Sequence, residues 1–149
     1  MKKTRENLLN VYCDMDGVIA DFNAEENAVE RFATEKGFFN GLLPMNCDGM
    51  NKLIEADGKK INLFILSASP NRQADKDKRK WLKRFYPQIK RKNIIIMRCG
   101  KNKADYIKNE RGILLDDYGR NCRQWRERGM IAIKIEKRLI QHLAEIGLR

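Results

Sequence analysis

Five short, almost continuously apolar segments recur along this chain and constrain its fold. They are residues 8–14, 61–67, 93–97, 112–116 and 130–135. Strands that are apolar on both faces are typical of parallel sheets covered by helices on each side. Four stretches with helical periodicity lie between or after them, at residues 79–86, 103–108, 121–128 and 136–146. The alternation predicts an α/β fold, a three-layer α/β/α Rossmann-like sandwich around a parallel five-stranded sheet.

Residues 22–60 interrupt this alternation. They carry two predicted helices in succession, at about residues 24–36 and 49–56, with glycine and proline between and after them. An insert at this place overhangs the carboxyl end of the first strand. We therefore predict a single domain, residues 1–149, with a small helical cap insert at about residues 22–60.

The length and composition exclude several classes of protein. The chain has 149 residues, enough for one hydrophobic core. No apolar run approaches the roughly 20 residues that span a bilayer. Residues 1–7 are basic but lead into only a short apolar stretch, so we predict no signal peptide and a cytoplasmic location. The four cysteines form no CxxC pair, which argues against a zinc ribbon or a disulfide framework.

Carboxylates follow two of the predicted strands. Asp14 and Asp16 end the first strand, and Asp116 and Asp117 end the fourth. Ligands of open α/β sheets bind at the carboxyl ends of the strands. Acidic groups this close repel one another unless a cation or a shared proton compensates them. The pattern predicts a metal-assisted reaction centre at this edge of the sheet.

Groups suited to phosphate follow the other two strands near this edge. The second strand ends at Ser67 and Ala68, a hydroxyl and a backbone N–H that can donate to phosphate oxygens. Lys101 and Lys103 follow the third strand. A lysine beside a phosphate neutralises charge that develops on the transferred group. The spacing from the strand favours Lys101, with Lys103 as the alternative.

The segment Asp14-Met15-Asp16-Gly17-Val18 resembles the first signature of the haloacid dehalogenase (HAD) superfamily of phosphatases. Its continuation to Phe22 is similar to the version in 5′(3′)-deoxyribonucleotidases. The resemblance implies the strand order 5-4-1-2-3, with Asp14 as nucleophile and Asp16 as general acid and base. It also implies Mg²⁺ held by Asp14, the backbone carbonyl of Asp16, and Asp116 or Asp117.

The same resemblance implies a phosphatase that acts on nucleoside monophosphates, with phosphate bound at Ser67 and Ala68. The family recognises the base with aromatic residues of its cap, which are here Phe22, Phe38 or Phe39. Two alternatives stay open: a HAD phosphatase of other specificity, for example for nucleic-acid ends, and a catalytically inactive nucleic-acid-binding module. The sequence does not predict an oligomeric state.

The chain carries a net charge of +11, and many of its cations lie within residues 72–92. Such an excess indicates anionic partners. A solvated helix face and a nucleic-acid patch explain it about equally well, and we favour a small phosphorylated substrate over nucleic acid. Among these cations are Lys76, Lys78, Arg79, Lys80, Lys83 and Arg84. Because the helix must turn its apolar stripe to the sheet, we predict that most of the charge points to solvent.

Overall fold

The five predicted strands form one parallel sheet in the computed structural model, which describes residues 7–108 and 111–148. Residues 1–7, for which we predict no signal peptide, lie almost wholly outside the described residues. The strands are β1 (Leu9–Cys13), β2 (Ile61–Ser69), β3 (Ile94–Arg98), β4 (Ile113–Asp116) and β5 (Ile131–Lys134). Their order is β3-β2-β1-β4-β5. This is the predicted order read from the opposite edge, so the predicted fold class is confirmed.

The helices differ more from the predictions. They are α1 (Ala28–Arg31), α2 (Cys47–Ala56), α3 (Arg72–Phe85), α4 (Gly119–Glu127) and α5 (Leu139–Leu143). The helix α3 begins earlier than predicted because the Asn71 side chain caps it, accepting a 2.9 Å hydrogen bond from the Ala74 backbone N–H. Only one turn of the predicted helix at 24–36 forms. Residues 103–108 give the short 3₁₀ segment Lys103–Tyr106.

Helices cover both faces of the sheet. Because side chains alternate along a strand, Val11 and Cys13 of β1 face one layer and Tyr12 faces the other. The first layer contains α2, α3 and α5. The second contains α4 and the segment Lys103–Tyr106. Each layer buries one tryptophan completely, Trp81 of α3 and Trp125 of α4.

The second helix of the predicted cap belongs to the first of these layers. Met50 and Leu53 of α2 are fully buried in the core. Gly49 packs so closely on α5 that a β-carbon there would lie 2.9 Å from the Leu139 side chain. The helix therefore covers the sheet, and the part of the insert that overhangs the carboxyl ends is the stretch before it.

That first part of the insert, residues 22–46, is tied to α3 along the length of the helix. Four hydrogen bonds of 2.7–2.9 Å join them: Asn71 to the Ala33 carbonyl, the Gly37 N–H to Asp77, Trp81 to the Leu42 carbonyl, and Arg84 to the Asn40 carbonyl. We call residues 22–46 the cap. Within residues 7–108 and 111–148, no helix is both long enough and apolar enough to cross a membrane.

Candidate active site

A cavity of about 330 Å³ opens between the cap and the carboxyl ends of the strands. Asp14 and Asp16 lie at its β1 side, and Ala68 lies at its β2 side. The parallel register places these strand ends at one edge, because Cys13 pairs with Ile65 of β2 and with Leu115 of β4. The cavity therefore occupies the crevice in which open α/β sheets bind their ligands.

A buried lysine connects the acidic residues of β1 and β4. The Lys103 ammonium, 2% exposed, donates to Asp14 Oδ1, to Asp116 Oδ2 and to the Leu66 carbonyl, each at 2.8 Å. All three of its donors are thus used by protein atoms. The two carboxylates hold the pKa of Lys103 above its usual value despite burial.

The lysine that contacts Asp14 is Lys103 and not the favoured Lys101. Lys101 is exposed and lies at the wall of the cavity. Gly100 turns the chain in the left-handed region (φ 86°), and Asn102 then caps the next segment, accepting a 3.0 Å hydrogen bond from Ala104 N–H. Because of this turn, the side chain that points into the site is that of Lys103. Counting residues from the end of the strand does not reveal this.

A second buried lysine holds the other carboxylate of β1. The Lys78 ammonium of α3 donates to Asp16 Oδ2 at 2.6 Å, to Ser67 Oγ at 2.8 Å and to the Ala68 carbonyl. Its side chain is fully buried. Lys78 is therefore an exception to the prediction that most of the charge in residues 72–92 points to solvent. Its position three and four residues before the buried Trp81 and Leu82 places it on the inner face of the helix, a signal already present in the sequence.

Three carboxylates converge beside Lys103. Asp14, Asp116 and Asp117 each offer an oxygen, and these oxygens lie within 4.8 Å of one another. Burial raises the pKa of Asp14 well above its usual value, and the neighbouring Asp116 charge raises it further. Burial and the Asp116 charge likewise raise the pKa of Asp117.

This donor set fits Mg²⁺. Carboxylate oxygens are the ligands that the ion prefers, and three carboxylates face only one ammonium group in the cluster. Asp116 is also oriented from outside the cluster, by the Tyr118 N–H at 2.9 Å and the Asn121 amide at 3.0 Å. In addition, Asp16 Oδ1 is buried without a hydrogen-bond partner among the described residues. The excess of acidic oxygen is what a divalent cation would compensate.

Gly17 permits the approach of Asp117 to this cluster. Its φ of 82° lies in the left-handed region, and a β-carbon there would lie 2.1 Å from Asp117 Oδ2. Any larger residue has to displace that carboxylate or the turn after β1. The glycine of the Asp-x-Asp-Gly motif thus serves both the turn and the carboxylate of another strand.

The predicted substrate residues divide into two groups. Ala68, Phe22 and Phe39 line the cavity. Ser67 is fully buried under Lys78, and Phe38 packs within the cap at 3% exposure. Neither of these two lines the cavity.

Several lining residues were missed by the sequence analysis. Phe32 joins Phe22 and Phe39 on the cap side, and Tyr118 and Arg120 lie on the β4 side. The aromatic rings form one cluster, with Phe22 and Phe32 centroids 6.0 Å apart. Phe39 also connects this cluster to the polar part of the site, because the Lys78 ammonium lies 4.4 Å from its ring centroid.

A family model described as 5′ nucleotidase, deoxy (pyrimidine), cytosolic type C protein matches residues 23–146 of this chain. The match covers most of the chain and begins directly after the segment that carries Asp14, Asp16 and Phe22. No curated protein shows a significant match.

Seventeen chains of solved structures match this one. A chain of the Pnkp1/Rnl/Hen1 complex is 19% identical with a TM-score of 0.58, over 89% of this chain and 47% of that one. This chain therefore spans about half the length of that relative. An uncharacterized protein from Corynebacterium glutamicum is 14% identical with a TM-score of 0.53, over 96% of this chain and 98% of that one. At these identities the likeness shows the fold alone.

Proposed function

Since this chain belongs to the cytosolic type C 5′-nucleotidase family of HAD-superfamily phosphatases, we propose that it is a Mg²⁺-dependent phosphomonoesterase acting on deoxynucleoside monophosphates. One observation carries the proposal. Asp14 lies at the cavity within 2.8 Å of the Lys103 ammonium, in a cluster of three carboxylates. This combination supplies a fixed nucleophile, a buried positive charge and ligands for a divalent cation.

Asp14 acts as the nucleophile. One of its oxygens attacks phosphorus in line, and the bond from phosphorus to the ester oxygen breaks, which leaves an aspartyl-phosphate. Asp16 protonates the departing oxygen and then takes a proton from the water that cleaves the intermediate. Two moderate steps replace one very slow hydrolysis. The division of roles between the two carboxylates follows from the family resemblance.

The metal site supports this chemistry. The carboxylates of Asp14 and of Asp116 or Asp117 would hold Mg²⁺ together with the Asp16 backbone carbonyl. When bound, the ion neutralises charge on the phosphoryl oxygens and orients them. Asp14 is then a ligand as well as the nucleophile, so its position has to be fixed from a third direction. The Lys103 hydrogen bond supplies that constraint.

The two buried lysines orient the carboxylates and add positive charge. Each donates three hydrogen bonds to protein atoms. One of the three goes to a backbone carbonyl of β2, that of Leu66 for Lys103 and that of Ala68 for Lys78. A donor set that is satisfied before substrate arrives needs little reorganisation during the reaction. We assign Ser67 a supporting role through Lys78, and phosphate contact to the Ala68 backbone.

The cap side of the cavity accounts for nucleotide recognition. Phe22, Phe32 and Phe39 form an apolar wall beside the carboxylates, and aromatic faces stack on planar bases. A volume of about 330 Å³ lies within the range of small-molecule sites. These features support a mononucleotide over a sugar phosphate, because a planar base has a π face that stacks on an aromatic ring.

The test is a substrate panel with Mg²⁺ present. It compares deoxynucleoside and ribonucleoside monophosphates, hexose phosphates, and oligonucleotides phosphorylated at either end, with Asp14→Asn as the blank. We expect phosphate release from deoxynucleoside monophosphates and little from hexose phosphates. If only phosphorylated oligonucleotide ends were turned over, the proposed substrate class would be wrong, whereas the proposed reaction would still hold. If no phosphate ester were turned over, the proposed phosphatase activity would be contradicted, and the protein would be a binding module.

A further inference from the structure

A groove with a cavity of about 500 Å³ lies between the outer face of α3 and the start of β3. Its floor is aliphatic, formed by Pro87, Ile89 and Ile94. Its walls carry five cations: Lys76, Arg79, Lys80, Lys83 and Arg91. We call this surface the α3 groove. It lies at the opposite end of β3 from Cys99, which lines the active-site cavity.

No carboxylate lines the α3 groove to balance these charges. The acids of α3 are engaged elsewhere. Asp75 receives two hydrogen bonds from Arg98, at 2.8 and 3.0 Å, and Asp77 holds Gly37 of the cap. Among residues 7–108 and 111–148, none of the five cations lies within 4.0 Å of a carboxylate oxygen as a salt bridge. The groove is therefore a concave surface of one sign.

Two observations indicate that this charge faces an external anion. The Arg79 Nη1 atom is buried but has no hydrogen-bond partner among the described residues, and a buried donor without a partner is costly. In addition, Lys76 and Lys80, and likewise Arg79 and Lys83, stand four residues apart on the helix, where like charges repel and destabilise it. Asp75 stands four residues before Arg79 and attracts its charge, but the Arg79 Nη1 atom remains without an acceptor in the part of the chain that the structure describes.

We propose that the α3 groove binds the phosphodiester backbone of a nucleic-acid strand. The cations of α3 extend over about 10 Å of the helix axis, at 1.5 Å per residue, so they suit a row of phosphates better than a single one. The net charge of +11 adds long-range attraction. No aromatic or amide side chain lines the groove, so binding is to backbone and independent of sequence.

This inference is independent of the proposed phosphatase activity. None of the groove residues lines the active-site cavity, so a bound strand does not need to enter it. Binding to the groove tethers the enzyme to nucleic acid, while mononucleotides still reach Asp14 from solvent.

The test measures binding of a labelled single-stranded oligonucleotide of about 12 nucleotides by fluorescence anisotropy between about 50 and 200 mM salt. The groove variant is K76Q/K80Q/K83Q. The matched control, K59Q/K60Q/K137Q, removes the same charge from exposed lysines outside the groove. Tripolyphosphate serves as the small competing anion, and hydrolysis of dTMP is followed in all three proteins.

We expect the groove variant to lose at least tenfold in affinity at low salt. Its slope of log K against log salt should be shallower by about 2, given roughly 0.7 per phosphate contact for single strands. The control should stay close to wild type, and the dTMP hydrolysis of both should be unchanged. Arg91→Gln, which lies outside the helix, should weaken binding as well and keeps the test valid if the triple variant is unstable.

Three results would overturn the proposal. One is the absence of oligonucleotide binding by the wild type at low salt. Another is an equal loss of affinity in the groove variant and the control, which would mean diffuse attraction without a site. The third is competition by tripolyphosphate at concentrations as low as those of unlabelled oligonucleotide, which would identify a site for a small anion.

Discussion

The Lys78 ammonium lies 2.6 Å from Asp16 Oδ2 and joins α3 to the loop that follows β1. The helix α3 thus contributes to three different parts of the molecule. Its inner face holds the proposed acid and base through Lys78. Asp77 and Trp81 of the same helix hold the cap, and the outer face carries the cations of the α3 groove. Placement of the cap and of Asp16 therefore depends on the same rigid element.

Replacing Lys78 tests this arrangement. In Lys78→Met we expect kcat to fall on the order of 100-fold, the usual cost of losing one preorganised electrostatic contact. Lys80→Met is the control, since Lys80 is exposed on the same helix. Steady-state kinetics with dTMP and thermal unfolding should be measured on both. Equal activity of the two variants would mean that the Lys78 contact is structural only.

Replacing Lys103 should harm the protein more than replacing Lys101. Lys103→Met leaves Asp14 and Asp116 buried without their cation, and breaking a buried ion pair from one side typically costs about 3 kcal/mol or more. We expect a lower urea midpoint together with loss of turnover, whereas Lys101→Met should leave the midpoint unchanged. If Lys101→Met caused the larger loss of turnover, the functional lysine after β3 would be Lys101 and not Lys103.

Adding one methyl group at Gly17 should weaken the metal site. A β-carbon there meets Asp117 Oδ2 at 2.1 Å, so Gly17→Ala has to move that carboxylate. We expect a higher Mg²⁺ concentration for half-maximal activity. Gly41→Ala is a matched control, because nothing lies within 4 Å of its β-carbon position. An unchanged Mg²⁺ dependence in Gly17→Ala would remove Asp117 from the site.

Mg²⁺ should also stabilise the fold, because it binds only where the three carboxylates are assembled. At 100 times its dissociation constant, the ion adds about 2.7 kcal/mol to the free energy of unfolding. Differential scanning calorimetry should show a higher Tm with Mg²⁺ than with EDTA. The shift should shrink in Asp117→Asn but persist in Asp105→Asn, whose carboxylate is exposed and pairs with Arg128. A shift of the same size in both variants would place the ion elsewhere.

The sequence predicted the sheet and its acidic edge well, because each strand is almost continuously apolar and Asp14 and Asp116 stand at the ends of such runs. The lysines were harder to place. The position of Lys103 depends on the left-handed turn at Gly100. Lys78 belongs to a helix with many cations, so its charge alone does not distinguish it from the lysines that point to solvent. The packing of α2 was not predictable either, because its close contact with α5 joins residues that are distant in sequence.

The most direct test of the account is to trap the phosphorylated enzyme. In Asp16→Asn, attack on p-nitrophenyl phosphate needs no leaving-group protonation, whereas hydrolysis of the intermediate lacks its base. Acid quench followed by peptide mass spectrometry should therefore find one added HPO₃ group on Asp14, and none in the variant that also carries Asp14→Asn. Phosphate on a different residue, or an Asp14→Asn enzyme as active as wild type with no adduct at any time, would contradict the mechanism.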